Sequence, residues 1–335
     1  MKIKNILVVG GAGYIGSHMS WMLRERGENV VILDNLSSGH KDAAFCGTFI
    51  EGDLCNPTIL NTVFTDHNIE AVIHFASSIQ VGESMSDPAK YYENNLVNSL
   101  NLLNAMRSHN VSKIIFSSTA AIFGNPQYTP INESHPLNPI NTYGRTKLMV
   151  EQILADYDRA YGIKSISLRY FNAAGAHPES ILGERHDPET HLIPLVLDAA
   201  SGRRPDITVF GKDYDTYDGT CIRDYIHVMD LGEAHWLSLQ HLINGGDSNS
   251  FNLGNGNGYS VNEVIRSVES VTGLDVPVKY GSRRFGDPSV LVSDSSKIID
   301  MLGWAPQYSS LDEIVKHAWQ WHKRQANESN QKIDI

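Results

Sequence analysis

Positive charge is scarce in this chain of 335 residues. Lysine and arginine together number 27 against 38 acidic residues, a formal charge of −11 at pH 7. So acidic a chain lacks the broad positive field that nucleic acid or an anionic membrane surface requires, and neither is expected as a partner. Any anionic ligand has to be held by local groups. Cysteine is scarce too. Cys46, Cys55 and Cys221 are widely spaced and form no CxxC, which fits free thiols in a reducing compartment. Long apolar runs are missing altogether. The start, "MKIKNILVVGGAGYIG", has a basic tip and a short apolar run broken by glycines, with no cleavage-like site after it, so a secretory signal is not expected. No stretch is long enough to span a bilayer. A soluble cytoplasmic protein is the expectation.

What is present is an ordinary globular composition, 41% hydrophobic. The length suits about two domains of roughly 150 residues each. The first half alternates short β-rich runs with longer amphipathic segments. "NILVVG" (5–10), "NVVILD" (29–34), "TFIEGD" (48–53), "AVIHFA" (71–76), "KIIFSS" (113–118) and "SISLRY" (165–170) are nearly continuous in apolar residues, as strands covered on both faces must be. Such alternation specifies an α/β fold with a doubly wound parallel sheet. After Ala176 the pattern becomes irregular, with loops rich in Gly, Asp and Pro. The expected organisation is a Rossmann domain over 1–175, rejoined by segments around 223–256, and a smaller mixed α/β domain over 176–335. Ser260 and Glu263 have the spacing of a capping box. The polar tail "RQANESNQKIDI" is expected to fray.

"VVGGAGYIGSH" supplies Gly10, Gly11, Gly13 and Gly16 between a strand and a helix. Asp34 ends the next strand, 18 residues after Gly16. This context reads as a dinucleotide fingerprint: glycines allow a tight turn and close approach to a pyrophosphate, whose charge sits on the helix N-terminus. Asp34 would accept from ribose hydroxyls and repel a 2′-phosphate, and no arginine follows it in "DNLSSGHK". NAD is therefore expected to bind at least about tenfold more tightly than NADP, a difference of ~1.4 kcal/mol. Equal affinities for the two on refolded protein would contradict this.

A Rossmann domain does not name a reaction. Tyr143 and Lys147, in "NTYGRTKLMVEQIL", lie four apart on a predicted helix and so share one face. Two polar residues on a helix surface would look the same. A lysine ammonium beside the phenol would favour phenolate and make Tyr143 a usable general base.

The motifs "GGAGYIGSH", "LDNL", "VIHFA", "YYENN", "FSSTAAIFG", "YGRTKLMVE", "RYFNAAGA", "HLIPLV", "GTCIRDYIHVMDL", "FNLGNG" and "RRFGDP" run nearly end to end. On them the chain resembles the extended short-chain dehydrogenases/reductases, and among these the UDP-glucose (UDP-galactose) 4-epimerases. The resemblance implies reversible C4 epimerisation of a UDP-hexose through a transient UDP-4-ketose, with NAD tightly bound and no net redox change. It implies that Tyr143 is the acid/base, that Lys147 holds the nicotinamide ribose and lowers the tyrosine pKa, and that Thr119 bonds the sugar 4-oxygen. It places Gly10, Gly13, Tyr14, Ile15, Gly16, Asp34, Asn35, Asp53, Leu54, Phe75, Ala76, Asn94, Lys147 and Tyr170 against NAD. Asn172, Leu192, Phe210, Arg223, Arg284, Asp287 and Leu291 fall to the UDP-sugar; two arginines suit a diphosphate because guanidinium is planar and multidentate. A homodimer is also implied, with "YYENNLVNSLNLLNAM" and "YGRTKLMVEQILADYDRAY" as candidate interface helices.

Some family members have a lysine after "HFA", where this chain has Ile79 and Gln80. Leu291 stands where members restricted to unsubstituted hexoses can carry a bulky tyrosine, which leaves room for the 2-acetamido group of UDP-GlcNAc or UDP-GalNAc. A 4,6-dehydratase typically has an acidic pair after the threonine; here Ala120 and Ala121 follow Thr119. A UDP-glucuronate epimerase or decarboxylase is a further alternative, and a non-catalytic NAD sensor need not keep the Thr, Tyr and Lys set. No metal is expected. "HDPETH" (His186, Asp187, Glu189, His191) is not HExxH, and "DYDTYDG" (Asp213, Asp215, Asp218) misses the EF-hand spacing. Trp319 and Trp321 are expected to pack a C-terminal helix.

Overall fold

The computed structural model describes residues 5–284 and 287–333, with side chains described as far as residue 327. Phe285 and Gly286 of the "RRFGDP" motif, and Asp334 and Ile335 of the tail, lie outside the described residues. Seven parallel strands form the main sheet: β1 (Asn5–Val9), β2 (Asn29–Asp34), β3 (Thr48–Glu51), β4 (Ala71–His74), β5 (Lys113–Thr119), β6 (Lys164–Tyr170) and, added late in the chain, β10 (Asn249–Leu253). Their spatial order is β10-β6-β5-β4-β1-β2-β3. The order reverses at β1, so the loop after β1 opens onto the crevice where doubly wound sheets bind ligands. All six strands expected in the first half are present.

Successive strand residues point to opposite faces, and each face has its own core. Ile6, Val8, Ile32, Ile73, Ile115 and Leu168 pack with Met19, Leu23 and Leu239 on one face. Leu7, Val9, Leu33, Val72 and Phe116 pack with Val63, Met106, Val150 and Leu154 on the other. Each fully buried aliphatic chain contributes about 1.5–3 kcal/mol, so the two faces hold the strand ends in fixed register.

The rest of the chain builds two smaller sheets. In the first, β9 (Ile222–His227) is flanked by β7 (Asn172–Ala174), β11 (Gly258–Ser260) and β13 (Val290–Leu291). In the second, β8 (Ile207–Phe210) pairs with β12 (Val278–Gly281). Val196, Val209, Tyr225, Val264, Val268, Ile314 and Val315 form their apolar cluster. Ser260 Oγ accepts from Glu263 N at 3.1 Å while the Glu263 carboxylate accepts from Ser260 N at 2.8 Å, so the capping box forms.

Two local features depart from expectation. The segment 88–108 is not one α-helix: Tyr92–Val97 is a π-helical turn between Pro88–Tyr91 and Asn98–Ser108. Such turns are rare and gather at functional sites. The tail expected to fray continues a helix for most of its length. Its helix runs Leu311–Ile333, because Gln, Ala, Glu and Lys favour helix and neither Gly nor Pro interrupts them. Among the described residues no helix is long and apolar enough to cross a membrane.

Candidate active site

The loop after β1 has room for a dinucleotide and for nothing bulkier. Gly10 has φ +79°, and a Cβ there would lie 2.6 Å from Ala76 N. A Cβ on Gly16 would lie 2.1 Å from Gly10 O. Gly13 caps the helix Tyr14–Glu25 without a side chain, and that helix has no acidic residue in its first turn. Its amide N–H groups and positive dipole end are left for an anion. The residues present thus fit NAD. Tyr14 Oη donates to Gly175 O at 2.7 Å, and Ile15 packs on the core below.

Asp34 is buried and accepts from Ala12 N at 2.9 Å and Leu36 N at 2.8 Å. Burial raises its carboxyl above the usual range, while these two amides pull it down. Asn35 Nδ2 donates to Asp53 at 2.6 Å. Leu54 is buried in the core beside them. Phe75 and Ala76 both donate their amides to Val9 O, at 2.8 and 3.2 Å, which sets them at the carboxyl end of β1. Asn94 bonds Ser78 Oγ at 3.2 Å from the π-helical turn.

Thr119 ends β5 and Tyr170 ends β6, side by side in register. The helix Thr142–Tyr161 starts on Asn141, whose side chain accepts from Gly144 N at 2.8 Å. That cap aims Tyr143 and Lys147 at the ends of these strands. Thr119 stands beside Tyr143, where its hydroxyl pulls the phenol pKa down. Thr119 Oγ1 already accepts from Ala121 N at 3.1 Å, which leaves its proton for the tyrosine oxygen. Lys147 is 2% exposed and donates from Nζ to Ser117 O at 2.8 Å. Its Nζ stands 5.9 Å from the Tyr143 ring centroid.

Burial pushes Tyr143 up to about 12, and Thr119 pulls it the other way. Burial also pulls Lys147 down to about 7, with Glu151 opposing. Desolvation wins because the ammonium is aimed at a backbone carbonyl, not at the phenol oxygen. The apolar residues that follow on this helix pack inside the chain. Val150 and Ile153 join the sheet core, and Leu148 joins the small cluster of Ile122, Phe123 and Ile131.

A second polar group forms around β9. Arg223 lies 3.7 Å from Asp287, and the Arg284 guanidinium sits 4.0 Å over the Phe210 ring. Neither Asp224 nor Asp230 pairs with Arg223. Asp224 accepts three backbone amides, from Asn255, Gly256 and Ser293, and Asp230 accepts from Gln307 and Tyr308. Asn172 Nδ2 donates to Asp224 O at 2.8 Å. Leu291 is set opposite Arg223 in register and packs on the Ala120, Ile122 and Phe123 cluster, so it joins the two polar groups. Leu192, at the start of its helix, is partly buried against the apolar cluster of the smaller sheets.

Sequence reasoning passed over the frame of this site. Tyr170 Oη bonds Ser117 Oγ, and Ser118 bonds Glu151. Glu151 and Arg169 form a buried pair, 2.6 Å at its shortest. Asn95 bridges Ser78 O at 3.0 Å and Thr146 at 3.2 Å. The available signal was the run of polar residues ending an otherwise apolar strand, "FSST". Among the decoys, Asp213 pairs with Arg283 and Asp218 accepts from Thr220 and Ser260, which are structural uses. Trp321 packs as expected, its indole donating to Glu184 O at 3.1 Å.

Residues 6–254 match the model of the NAD dependent epimerase/dehydratase family. A UDP-glucose 4-epimerase of Halalkalibacterium halodurans is 53% identical over 318 residues, 95% of each chain. The crystal structure of UDP-glucose 4-epimerase from Brucella ovis in complex with NAD superposes with a TM-score of 0.93 at 49% identity, covering 95% of this chain and 98% of that one. The UDP-glucose 4-epimerase from Bifidobacterium longum, in complex with NAD+ and UDP, gives 0.92 at 38% identity over 97% and 99%.

Proposed function

The chain belongs to the NAD dependent epimerase/dehydratase family, and we propose that Tyr143, Thr119 and Lys147 carry out its reversible C4 epimerisation of UDP-galactose and UDP-glucose. NAD is the cofactor. When bound it supplies the reversible hydride acceptor and a positively charged ring. The single observation that carries the assignment is the Thr119–Tyr143–Lys147 arrangement at the carboxyl ends of β5 and β6, next to a glycine loop shaped for a dinucleotide.

Tyr143 takes the proton of the sugar 4-hydroxyl as C4 loses its hydride, and returns it when the ketone is reduced on its other face. Thr119 donates toward the same oxygen and favours the anion. Lys147 is held by Ser117 O where it can bond the nicotinamide ribose and balance the developing phenolate. Arg223 and Arg284 bind the diphosphate, with Phe210 and Asp287 on the nucleotide side; Asn172 and Leu192 line the approach, and Leu291 bounds the sugar. Residues 1–175, with β10 returned to the sheet, serve NAD, and the later sheets serve the UDP-sugar. The acidic pair of a dehydratase is replaced by Ala120 and Ala121, which favours the epimerase reading. An assay coupled to UDP-glucose formation from UDP-galactose tests it; 4-keto-6-deoxy sugar in its place would overturn it. UDP-GalNAc is turned over as well, since Leu291 is smaller than tyrosine, and no detectable turnover would reject that extension.

The protein works in the cytoplasm, in keeping with three unpaired cysteines, and as a homodimer through the helices spanning 91–108 and 142–161. Val97 is 47% exposed on the first of these and offers apolar surface to a partner copy. Light scattering at micromolar concentration is expected to give twice the chain mass; the mass of one chain would refute the dimer.

A further inference from the structure

"HDPETH" alone lacks a fourth donor at metal-ligand spacing, but the fold brings one from upstream. Glu184 joins His186, Glu189 and His191, and one ligand atom from each lies within 4.8 Å of all the others. Glu184 Oε1 is 3.1 Å from His186 Nδ1 and 2.7 Å from His191 Nδ1. Glu189 Oε2 is 3.7 Å from His186 Nδ1. Tetrahedral zinc with ligand distances near 2.0–2.2 Å spaces its donors about 3.3 Å apart. These three separations, 2.7, 3.1 and 3.7 Å, straddle that value.

Proximity alone would fit two imidazolium–carboxylate pairs. His191 Nδ1 and Glu189 Oε1 do form one such bond, at 3.1 Å, but Glu184 and His186 do not form the other. Glu184, whose side chain is 7% exposed, has an Oε1 with no hydrogen-bond partner. His186 Nδ1 is likewise buried and unpartnered. Though 3.1 Å apart, the two atoms do not hydrogen-bond each other. Buried donors left unsatisfied in this way are costly unless something bridges them. Glu189 Oε1 is taken up by Thr190 N at 2.7 Å, His191 N at 2.8 Å and His191 Nδ1 at 3.1 Å, which fixes that carboxylate and leaves Oε2 free to turn to a cation.

We propose that Glu184, His186, Glu189 and His191 form a structural site for one divalent cation of the zinc class. Two neutral imidazoles and two carboxylates balance its charge, and nitrogen with carboxylate oxygen suits zinc better than calcium or magnesium. The site has no part in proton or hydride transfer. Its place in the fold gives its role. Arg185, between two of the ligands, grips Asp42 at 2.6 and 2.9 Å and offers its carbonyl to His40 at 3.0 Å. The His186 ring stands edge-on to Tyr14 at the start of the dinucleotide helix, centroids 6.3 Å apart. Trp321 of the C-terminal helix holds Glu184 O. A cation here clamps three parts of the chain beside the NAD site.

Tag-free protein with its NAD bound, stripped with a chelator and dialysed, is titrated with Co2+ and then challenged with Zn2+. One equivalent should bind with the visible absorption of tetrahedral Co2+ and be displaced by Zn2+. Glu184→Gln and His191→Asn should each weaken Co2+ binding at least tenfold. Circular dichroism confirms that the variants are folded, and His186→Asn serves if either is not. Absence of saturable binding by the unaltered protein at millimolar Co2+ overturns the proposal and leaves the ion-pair reading. Equal binding by the folded variants overturns it too.

Discussion

Replacing Tyr143 with phenylalanine should lower the epimerisation rate ~10⁴-fold, near the upper end of what a positioned acid/base supplies. UDP affinity should stay within about twofold, because the diphosphate contacts proposed for Arg223 and Arg284 lie on other elements. The substitution removes one oxygen and keeps the ring that fills the wall beside Thr119. Its cost should therefore fall almost wholly on kcat. The elevated Tyr143 pKa of about 12 sharpens the expectation. At neutral pH the phenol is the resident species, so deprotonation must be helped by the charges gathered at the site on binding. Retention of more than about a tenth of the activity would remove Tyr143 from the acid/base role.

How much of this was legible beforehand depends on the range of the interaction. The six strands of the first half could be read because burial on both faces forces continuous apolar runs, and each run is a local signal. The glycine loop was legible for the same reason, since its geometry is set within a few residues. Tyr143 and Lys147 could be placed on one face from spacing alone. Their protonation could not, because desolvation depends on everything that surrounds them. The π-helical turn at Tyr92–Val97 left no mark in the apolar pattern, which suits an ordinary helix equally well. Asp224 illustrates the remaining gap. Adjacency in sequence suggests an ion pair with Arg223, but successive residues of a strand face opposite ways. It is instead buried among the amides of Asn255, Gly256 and Ser293, with burial raising its carboxyl to about 6. The resemblance placed Glu151 and Arg169 inside motifs, "YGRTKLMVE" and "RYFNAAGA", without saying that they meet.

Lys147→Met is expected to move activity and stability in opposite directions. The ammonium is almost wholly buried, and its proposed job is to bond the ribose and balance a phenolate. Loss of one such electrostatic group should lower kcat roughly 10²–10³-fold. Folding, by contrast, gains. The folded-state pKa of about 7 lies below the ordinary 10.5, so the unfolded chain binds this proton more tightly than the native one. Below pH 7 both states carry it, and the native state bears the full desolvation cost. As pH rises from about 7 toward 10.5 the native lysine sheds its proton first and the cost falls; above that range it is gone. A methionine of similar length removes the cost and fills the same space. Freed of NAD, the variant should therefore be more stable than the parent by a few kcal/mol near pH 6, with the gap closing by about pH 10. Urea unfolding of both proteins across that range measures the gap. A variant less stable than its parent at pH 6 would mean that the bond to Ser117 O outweighs desolvation. Lys147 would then be held in place by its own contacts, not kept there at the expense of stability.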